Sequence, residues 1–431
     1  MVDPTIGFTK DVIKDPDRFV GRFDLIRQCC HALDSPTGLI AVYGKRGVGK
    51  SSLLRQLQQM ALGDYKLARL AGMSHEVPTR LRKYLTVYYT CDSTIGDASG
   101  LLSRLCNDQD DEDGLLRLVP DKGKEVIEFS RTKEVGAGAD LKVVNWGVKG
   151  TETSKYARRV PDDIVQTFRN FTSAVIVQQV KKRMGRDGLL ILLDEFDMIR
   201  DKSGLGSLIK SISTPQLKFG VCGVGHDLTD LISDHHSVER LIGEGAIKVS
   251  PMSLSEAVTV LDRAEELFDG KIKIVRSVKD QVALVSQGYP YVVQLLGREC
   301  VRTANKMGVI TIDDTILKSV LSATAMGTAF PDLESIYLRA IGNSKDRQTL
   351  LHLMAASRDD DVDVYDDQFE RVLLKDVRRE AEDLQVKYID QQLPRLEDAR
   401  FGAVITRVPD TNGVYEFADP VFRLYVNLRK F

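Results

Sequence analysis

The sequence has few cysteines, and none is spaced for a structural metal or a disulfide framework. Six cysteines are spread over 431 residues, and no two have the C-x-x-C spacing of a zinc or redox motif. Such sparse use of cysteine excludes a small disulfide-stabilised domain. It is typical of a protein in a reducing compartment, so we expect a cytoplasmic location.

Long apolar runs and an excess of one charge are also missing. No apolar stretch approaches the roughly 18–20 residues that span a bilayer, so we expect no membrane span and no hydrophobic leader. Lys and Arg together number 60 and Asp and Glu 62, which gives a formal net charge of -2. This balance excludes a strongly basic nucleic-acid-binding coat but not a local basic patch.

The sequence does contain enough apolar material for a large core. Hydrophobic residues make up 43% of the chain and charged residues 28%, which excludes a wholly disordered protein. Domains usually have about 100–200 residues, so we expect two or three domains.

Five short apolar segments predict β-strands separated by helical patterns. Leu189–Asp194 is an unbroken apolar run, as found in parallel sheets that are covered on both faces. The other four segments are Gly38–Gly44, Tyr84–Thr90, Lys218–Gly225 and Ala246–Ser250. Alternating strands and helices predict an α/β fold with a doubly wound parallel sheet in residues 1–252.

A long interval separates the second predicted strand from the third. Residues 95–160 contain an acidic loop and two strand-like pieces, which predict a β-hairpin insertion that carries Trp146. Between Asp121 and Arg159, nine basic residues stand against six acidic ones, a net charge of +3. We expect this hairpin to contact a partner protein or a nucleic acid, and a solvated surface decoration is the alternative.

Two further regions follow the predicted sheet. Residues 253–330 are helical in pattern and predict a lid, with a capping-box signature at Ser253 and Glu256 and a break at Gly288–Pro290. Residues 331–431 predict three helices and a two-stranded end with a turn at residues 409–413. This order is typical of a winged helix-turn-helix domain.

The most specific motif is a G-x-x-x-x-G-K-S sequence between a predicted strand and a predicted helix. Its glycines let backbone N–H groups turn toward a phosphate chain, and the helix N-terminus adds a partial positive charge. We expect Lys50 to reach the β- and γ-phosphates of ATP and the Ser51 hydroxyl to ligate Mg²⁺. The predicted nucleotide-binding residues here are Gly44, Lys45, Arg46, Gly47, Val48, Gly49, Lys50, Ser51 and Ser52.

A pair of carboxylates follows the third predicted strand. Asp194 ends an apolar strand, so we expect its side chain at the carboxyl-terminal edge of the sheet, where it can hold Mg²⁺. Glu195 is then placed to orient or deprotonate an attacking water. With Lys50, these residues predict ATP hydrolysis.

Several motifs together resemble the AAA+ ATPases of the origin-recognition/Cdc6-like group. They resemble equally the related prokaryotic STAND-type ATPases. The segments that carry the resemblance are Asp17–Ile26, the phosphate loop, Asp194–Asp197, Arg240, Gly288–Pro290 and Phe417–Val426. The resemblance covers nearly the whole chain outside residues 94–160. It implies a P-loop sheet of the AAA+ type, a helical lid and a C-terminal winged helix.

The resemblance also implies roles for residues outside the phosphate loop. The segment that lines the adenine pocket corresponds to Phe19, Val20 and Gly21. His226, after the fourth strand, stands where these families have a polar sensor near the γ-phosphate. Arg240 corresponds to an arginine that reads the γ-phosphate, often across a subunit boundary.

Two positions on the lid follow from the same resemblance. Pro290 resembles a proline of STAND proteins that packs near the base, whereas origin-recognition relatives carry a sensor arginine on that helix, for which Arg298 is the candidate. Structural alternatives stay open: a turn before a helix for residues 19–21, and a surface salt bridge for Arg240.

The charge of the C-terminal region bears on DNA binding. Residues 344–431 contain 14 basic and 18 acidic groups, a balance of -4. Because phosphate contacts dominate affinity for duplex DNA, such a region is a poor DNA binder by itself. We therefore expect it to pack against the ATPase core or to bind a partner protein.

These motifs predict an ATP-dependent switch with Mg²⁺ as its metal. We expect bound ATP to order the lid and the winged helix, and hydrolysis to release them. The nucleotide state would control self-assembly and engagement of a partner protein, by analogy an effector in prokaryotic defence or signalling. The alternative is a DNA-binding ATPase of the origin-recognition type that acts in a DNA transaction.

Overall fold

A parallel sheet of five strands forms the centre of the computed structural model, which describes residues 1–35, 38–73, 81–107, 114–119, 163–225, 228–232, 245–357, 370–409 and 411–429. The predicted hairpin of residues 121–160, with Trp146, lies outside the described residues, as do His226 and Arg240. No helix in the described ranges is both long and apolar enough to cross a lipid bilayer.

The strands of this sheet confirm the predicted α/β P-loop fold of the AAA+ type. They are β1 (Leu39–Gly44), β2 (Tyr84–Thr90), β3 (Gly188–Asp194), β4 (Leu217–Val224) and β5 (Ala246–Lys248). Their spatial order is β2-β3-β4-β1-β5, and every neighbouring pair is parallel. The loops after β1 and β3 therefore lie at the same edge of the sheet, on either side of the end of β4.

Helices cover both faces of this sheet. They are α1 (Phe23–Asp34), α2 (Lys50–Leu62), α3 (Lys66–Leu70), α4 (Ala98–Asn107), α5 (Ile164–Val175), α6 (Leu205–Ile212) and α7 (Leu228–Leu231). Alternate residues of β3 contribute to two hydrophobic clusters: Leu190 and Leu192 pack with α1 and α2, whereas Leu189 and Ile191 pack with α4, α5 and α6. Because both faces of β3 are covered, the strand is apolar throughout, as its sequence predicts.

The first part of the predicted insertion belongs to the core instead. The helix α4 contributes Leu101, Leu102 and Leu105 to the cluster on one face of the sheet. The prediction of an insertion that begins near residue 95 was therefore wrong. Leu101 and Leu105 face the sheet and are four residues apart, which is a helical spacing. The acidic loop that follows α4 obscured this spacing.

The helix before β3 changes its winding along its length. The helix α5 continues as a π-helix over Ile176–Met184, and Gly185 ends it with a φ of +56°. Its apolar residues Phe168, Phe171 and Val175 pack in the same cluster as α4.

The lid consists of four helices and a short pair of parallel strands. They are α8 (Leu254–Leu267), β6 (Lys273–Ile274), α9 (Arg276–Ser286), α10 (Pro290–Met307), β7 (Thr311–Ile312) and α11 (Asp314–Ala325). The predicted capping box is present: the Glu256 N–H donates to Ser253 Oγ, and the Ser253 N–H donates to Glu256 Oε2 at 2.9 Å. Glu256 thereby fixes the start of α8.

The C-terminal region contains more elements than the sequence predicts. Its described elements are α12 (Pro331–Ile341), α13 (Lys345–Ala356), β8 (Val372–Leu373), α14 (Leu374–Asp383), α15 (Ile389–Glu397), β9 (Ile405–Arg407), β10 (Val414–Phe417) and α16 (Pro420–Leu428). The strands form an antiparallel sheet in the order β8-β10-β9. The naming of this region as a winged helix, and the domain boundaries at residues 252 and 330, stay predictions.

The two predicted strands are present as the antiparallel pair β9 and β10, but the prediction that they end this region was wrong, because α16 follows them. Asp419 caps this helix by accepting a hydrogen bond from the Val421 N–H at 2.8 Å, and Pro420 occupies the first turn. The helix is buried on nearly all sides, since every residue from Pro420 to Val426 is buried.

A buried lysine lies under the sheet. Lys218 of β4 is 3% exposed, and its Nζ donates to the carbonyl oxygens of Ala32 and Ser35 at the end of α1. Burial lowers the pKa of Lys218 to about 8, from 10.5. Between these two pKa values the unfolded chain binds more protons than the folded one, so the cost of burial shrinks as the pH rises.

We predict that Lys218→Met changes how stability depends on pH. Relative to the variant, the free energy of unfolding of the wild type should rise by about 2 kcal/mol between pH 7 and pH 10, because the wild type sheds its buried charge. Urea unfolding of both proteins at pH 7, 8.5 and 10 measures this difference. The exposed Lys210→Met is the control; a constant difference between wild type and Lys218→Met would contradict the prediction.

Candidate active site

The loop between β1 and α2 has a backbone that glycine adopts most readily. Gly44, Gly47 and Gly49 have φ angles of +150°, +77° and +93°. Space is also lacking for side chains: a Cβ at Gly44 would lie 2.3 Å from the Val249 carbonyl oxygen, and one at Gly47 would lie 2.8 Å from Val421 Cγ2. The phosphate loop is thus closely packed, and its tip touches the C-terminal region.

Lys50 lies inside this loop at the start of α2. Its side chain is buried, and its Nζ donates to the Lys45 carbonyl oxygen at 2.7 Å. Burial lowers the pKa of Lys50, and the nearby Asp197 and Asp194 oppose that shift. The ammonium group is therefore held where the backbone of the loop curls around it, as expected of a lysine that reaches phosphates.

Asp194 and Ser51 meet at the carboxyl-terminal edge of the sheet. Ser51 Oγ donates to Asp194 Oδ1 at 3.2 Å, and the Glu195 N–H donates to the same oxygen at 2.9 Å. Asp194 is 5% exposed. A hydroxyl and a carboxylate are the hard oxygen ligands that Mg²⁺ prefers, so the residues present fit this ion.

Glu195 follows Asp194 in an unusual backbone conformation. Its φ of +51° lies in the left-handed region, which turns the exposed side chain away from the sheet. Partial burial raises the pKa of Glu195, as do Asp194 and Asp197, while Arg46 and Lys50 act in the opposite direction. A raised pKa makes a carboxylate a better proton acceptor at neutral pH.

Asp197 has a structural role in the same loop. Its Oδ1 accepts a hydrogen bond from the Val224 N–H at 2.9 Å, which ties the segment after β3 to the end of β4. Gly223 leaves room for this contact, since a Cβ there would lie 2.6 Å from the same oxygen. The segment that carries Glu195 is thereby anchored to the sheet.

A first cavity, of about 210 Å³, lies between the N-terminal segment, the phosphate loop and the lid. Phe19 and Val20 line it, and so does Ser52, whose Oγ accepts a hydrogen bond from the Ile13 N–H at 3.0 Å. Its size and its partly apolar lining suit the base of a nucleotide. Pro290 lines the cavity too.

Two predicted residues lie beside this cavity in different ways. Pro290 packs on the phosphate loop, with its Cγ 3.6 Å from where a Cβ of Gly49 would be. Gly21 does not line the cavity but turns the chain with a φ of +70°, close to Glu256 of α8. Residues 19–21 thus both precede a helix and bring Phe19 and Val20 to the cavity.

Arg22 is a candidate binding residue that the sequence analysis missed. It lines the first cavity and is 7% exposed, and its Nη2 is buried without a hydrogen-bond partner among the described residues. Burial lowers the pKa of Arg22 to about 10, and Glu256 partly offsets this. A buried donor without a partner is costly, which points to a ligand as the missing acceptor.

A second cavity, of about 460 Å³, lies on the other side of the phosphate loop. It is lined by Arg46, Glu195, Asp332 and Asp419, together with Lys50. Burial raises the pKa of Asp419, against the lowering effects of its hydrogen bond from the Val421 N–H and of Arg46. Residues of α12 and α16 therefore face the catalytic candidates directly.

A buried charged cluster joins the phosphate loop to the lid and the C-terminal region. Lys45 Nζ lies 2.9 Å from Glu370 Oε2, and both side chains are 10% exposed. The Tyr289 hydroxyl donates to the same oxygen at 2.8 Å, and Arg423 Nη1 lies 3.5 Å from Glu370 Oε1. We name Lys45, Tyr289, Glu370 and Arg423 the latch cluster.

Of the remaining sensor candidates, the structure describes Arg298 alone. His226 and Arg240 lie outside the described residues. Arg298 lines neither cavity beside the phosphate loop but a smaller one of about 90 Å³ with Lys10 and Asp332. Its role as a sensor stays a prediction.

Comparison with known proteins gives matches among solved structures alone. No family model matches the chain, and no curated protein matches it. A Walker-type ATPase of Pyrococcus abyssi is 17% identical, with 97% of this chain and 99% of that chain covered, at a TM-score of 0.49. The ORC1 protein of Aeropyrum pernix, solved in complex with DNA, is 13% identical over 96% of this chain and 93% of its own, at a TM-score of 0.45.

A third match likewise combines low identity with coverage of nearly all of both chains. Cdc6p from Pyrobaculum aerophilum is 12% identical, with 99% of this chain and 98% of that chain covered, at a TM-score of 0.41. The chain is therefore similar to Walker-type and Cdc6/ORC proteins, as its motifs predict.

We predict that Arg22→Met lowers ATP affinity about 10-fold, because a charged donor to the ligand is lost. Stability without nucleotide should stay the same or rise, since the variant no longer buries an unpaired charge. Isothermal titration with ATP and thermal unfolding measure the two effects. Arg18→Met is the matched control, because Arg18 lines the same cavity but donates to the Thr5 carbonyl oxygen. Equal affinity losses in both variants would refute the prediction.

Proposed function

We propose that the protein is a Mg²⁺-dependent ATPase whose nucleotide state controls the contact between its phosphate loop and its C-terminal region. Through that region it engages a partner protein. The observation that carries the proposal is the convergence of Lys50, Ser51, Asp194 and Glu195 at one edge of the sheet, beside the latch cluster.

Each residue of the site has a distinct part in the proposed reaction. Lys50 and the backbone N–H groups of the loop bind the phosphates and stabilise negative charge that develops on them. Glu195 accepts a proton from the attacking water. Ser51 and Asp194 would hold Mg²⁺, which would neutralise part of the negative charge of the phosphates when bound.

The base side of the site links the nucleotide to the lid. Phe19 and Val20 come from the N-terminal segment, whereas Pro290 comes from α10, and all three line one cavity. Arg22 would donate to a polar atom of the base or the ribose. A nucleotide bound there contacts both the sheet domain and the lid, so its binding and release can change how they pack.

The latch cluster supports coupling to the C-terminal region. A γ-phosphate in the second cavity would meet Asp332 and Asp419, and the phosphates would compete with Glu370 for Lys45. Like charges repel, so ATP disfavours the contact between the phosphate loop and the C-terminal region more than ADP does. We therefore reverse the direction expected from the sequence: ATP releases the C-terminal region, and hydrolysis lets it return.

The charges of the C-terminal region support a protein partner over DNA. Three of its exposed arginines lie against carboxylates of the same region: Arg378 with Asp390 at 2.5 Å, Arg400 with Asp398 at 2.5 Å and Arg407 with Glu397 at 2.9 Å. Together with the balance of -4 over residues 344–431, these pairs weaken the attraction of the region for DNA phosphates.

We predict that Glu195→Gln lowers kcat for ATP hydrolysis by about 100-fold and leaves ATP binding intact, because the proton acceptor alone is lost. Lys50→Ala should abolish binding. Phosphate release and ATP titration measure these effects, and Asp201→Asn in the same segment is the control. Hydrolysis by Glu195→Gln at the wild-type rate would contradict the proposed role.

Size-exclusion chromatography of Glu195→Gln tests the output. With ATP and Mg²⁺, we expect a changed elution volume that is the same with or without 30-bp duplex DNA. ATP-dependent elution together with the DNA would instead favour the origin-recognition alternative.

We predict that Glu370→Gln raises ATP affinity about 5-fold, since the ion pair that competes with the phosphates for Lys45 is lost and a negative charge is removed. The new amide can still accept the Tyr289 hydrogen bond. Glu334→Gln is the matched control, because Glu334 pairs with Arg429 within the C-terminal region at 2.9 Å and does not touch the loop. Nucleotide titration and limited proteolysis without nucleotide measure the effect. Equal changes in both variants would exclude a latch.

A further inference from the structure

Both carboxylate oxygens of Asp194 have partners, and one partner comes from the neighbouring strand β2. The Tyr88 hydroxyl donates to Asp194 Oδ2 at 2.5 Å. The other oxygen, Oδ1, accepts from Ser51 Oγ and from the Glu195 N–H. Tyr88 thus holds the oxygen that is not directed at Ser51.

The tyrosine ring is itself held in place by α2. The guanidinium carbon of Arg55 lies 3.3 Å from the centroid of the Tyr88 ring. Arg55 Nη1 donates to Gln58 Oε1 at 2.9 Å, and Gln58 Nε2 donates to Thr86 Oγ1 at 3.2 Å. Thr86 and Tyr88 are two residues apart on β2 and share a face of the sheet. The side chains of α2 therefore hold this face of the strand.

These contacts connect α2 to Asp194 by two routes. Ser51 and Arg55 are four residues apart on α2, so they lie on the same face of the helix. Ser51 reaches Asp194 directly, whereas Arg55 reaches it through the Tyr88 ring and hydroxyl. One helix thus positions the Ser51 hydroxyl and, through Tyr88, the carboxylate that faces it.

We propose that Tyr88 is a positioning residue that keeps Asp194 Oδ1 directed at Ser51, where Mg²⁺ binds. This inference rests on the proposed function, since it concerns the Mg²⁺ ligand of the same site. Without the hydroxyl, Asp194 Oδ2 would lose a hydrogen-bond donor although the residue is only 5% exposed, and the carboxylate would turn toward other donors. Loss of a hydrogen bond to a metal ligand typically costs about 10–100-fold in metal affinity.

Tyr88→Phe tests this inference, with Tyr84→Phe as the matched control. Tyr84 is also buried on β2 and on the same face, but its hydroxyl donates to the Leu33 carbonyl oxygen at 3.1 Å, at the other end of the strand. Binding of a fluorescent ATP analogue is measured twice: in EDTA, and during titration with Mg²⁺. The first series gives the metal-free affinity, and the second gives the Mg²⁺ midpoint.

We expect Tyr88→Phe to raise the Mg²⁺ midpoint about 10-fold and to leave the metal-free affinity within twofold of the wild type. Tyr84→Phe should change neither quantity. If Tyr88→Phe does not fold, Arg55→Met serves instead, because it frees the ring but keeps the hydroxyl. We expect Arg55→Met to raise the midpoint about 3-fold.

Three results would overturn the inference. An unchanged Mg²⁺ midpoint in a folded Tyr88→Phe means that the hydroxyl does not position the ligand. The hydrogen bond is merely structural if Tyr88→Phe loses as much metal-free affinity as Mg²⁺ affinity, or if Tyr84→Phe shifts the Mg²⁺ midpoint as much as Tyr88→Phe does. Absence of Mg²⁺-dependent binding in the wild type would instead overturn the proposed function, and this inference with it.

Discussion

The parallel pairing of β1, β4 and β3 is the constraint on which the site depends. Gly44 at the end of β1 pairs with Val224 of β4, and Leu193 of β3 pairs with Val221. Neighbouring strands lie about 4.8 Å apart, so β1 and β3, with β4 between them, lie about 10 Å apart. That distance lets Ser51, in the first turn after the phosphate loop, reach Asp194. A slip of one residue in the pairing of β3 with β4 would turn Asp194 to the other face.

The latch cluster ties the site to the rest of the molecule. Burying charges is costly unless each one has partners, and Glu370 meets Lys45, Tyr289 and Arg423 together. Removing any one partner leaves the others buried and less well paired. The packing of the C-terminal region is therefore sensitive to charge at the phosphate loop, and the phosphates of a nucleotide would change that charge.

Much of the fold was predictable from the chain, and the misses have physical causes. The five strands and the phosphate loop have local patterns that a single segment contains. The helix α16 was missed because its 9 residues are fewer than the roughly 11–18 over which a helical periodicity can be recognised. Arg22 was missed because what marks it is a buried nitrogen without a hydrogen-bond partner among the described residues, and Tyr88 because what marks it is one hydrogen bond to Asp194. Neither feature leaves a pattern in the sequence.

By itself the sequence determined the strand and helix order, the glycines of the phosphate loop and the residue types available for phosphate and Mg²⁺. Each follows from local stereochemistry, such as the left-handed backbone of Gly47. Only the tertiary structure decided that Glu370 lies against Lys45, 325 residues away, and that Tyr88 holds Asp194. Such contacts depend on how whole elements pack, and packing is a property of the folded core that no single segment encodes.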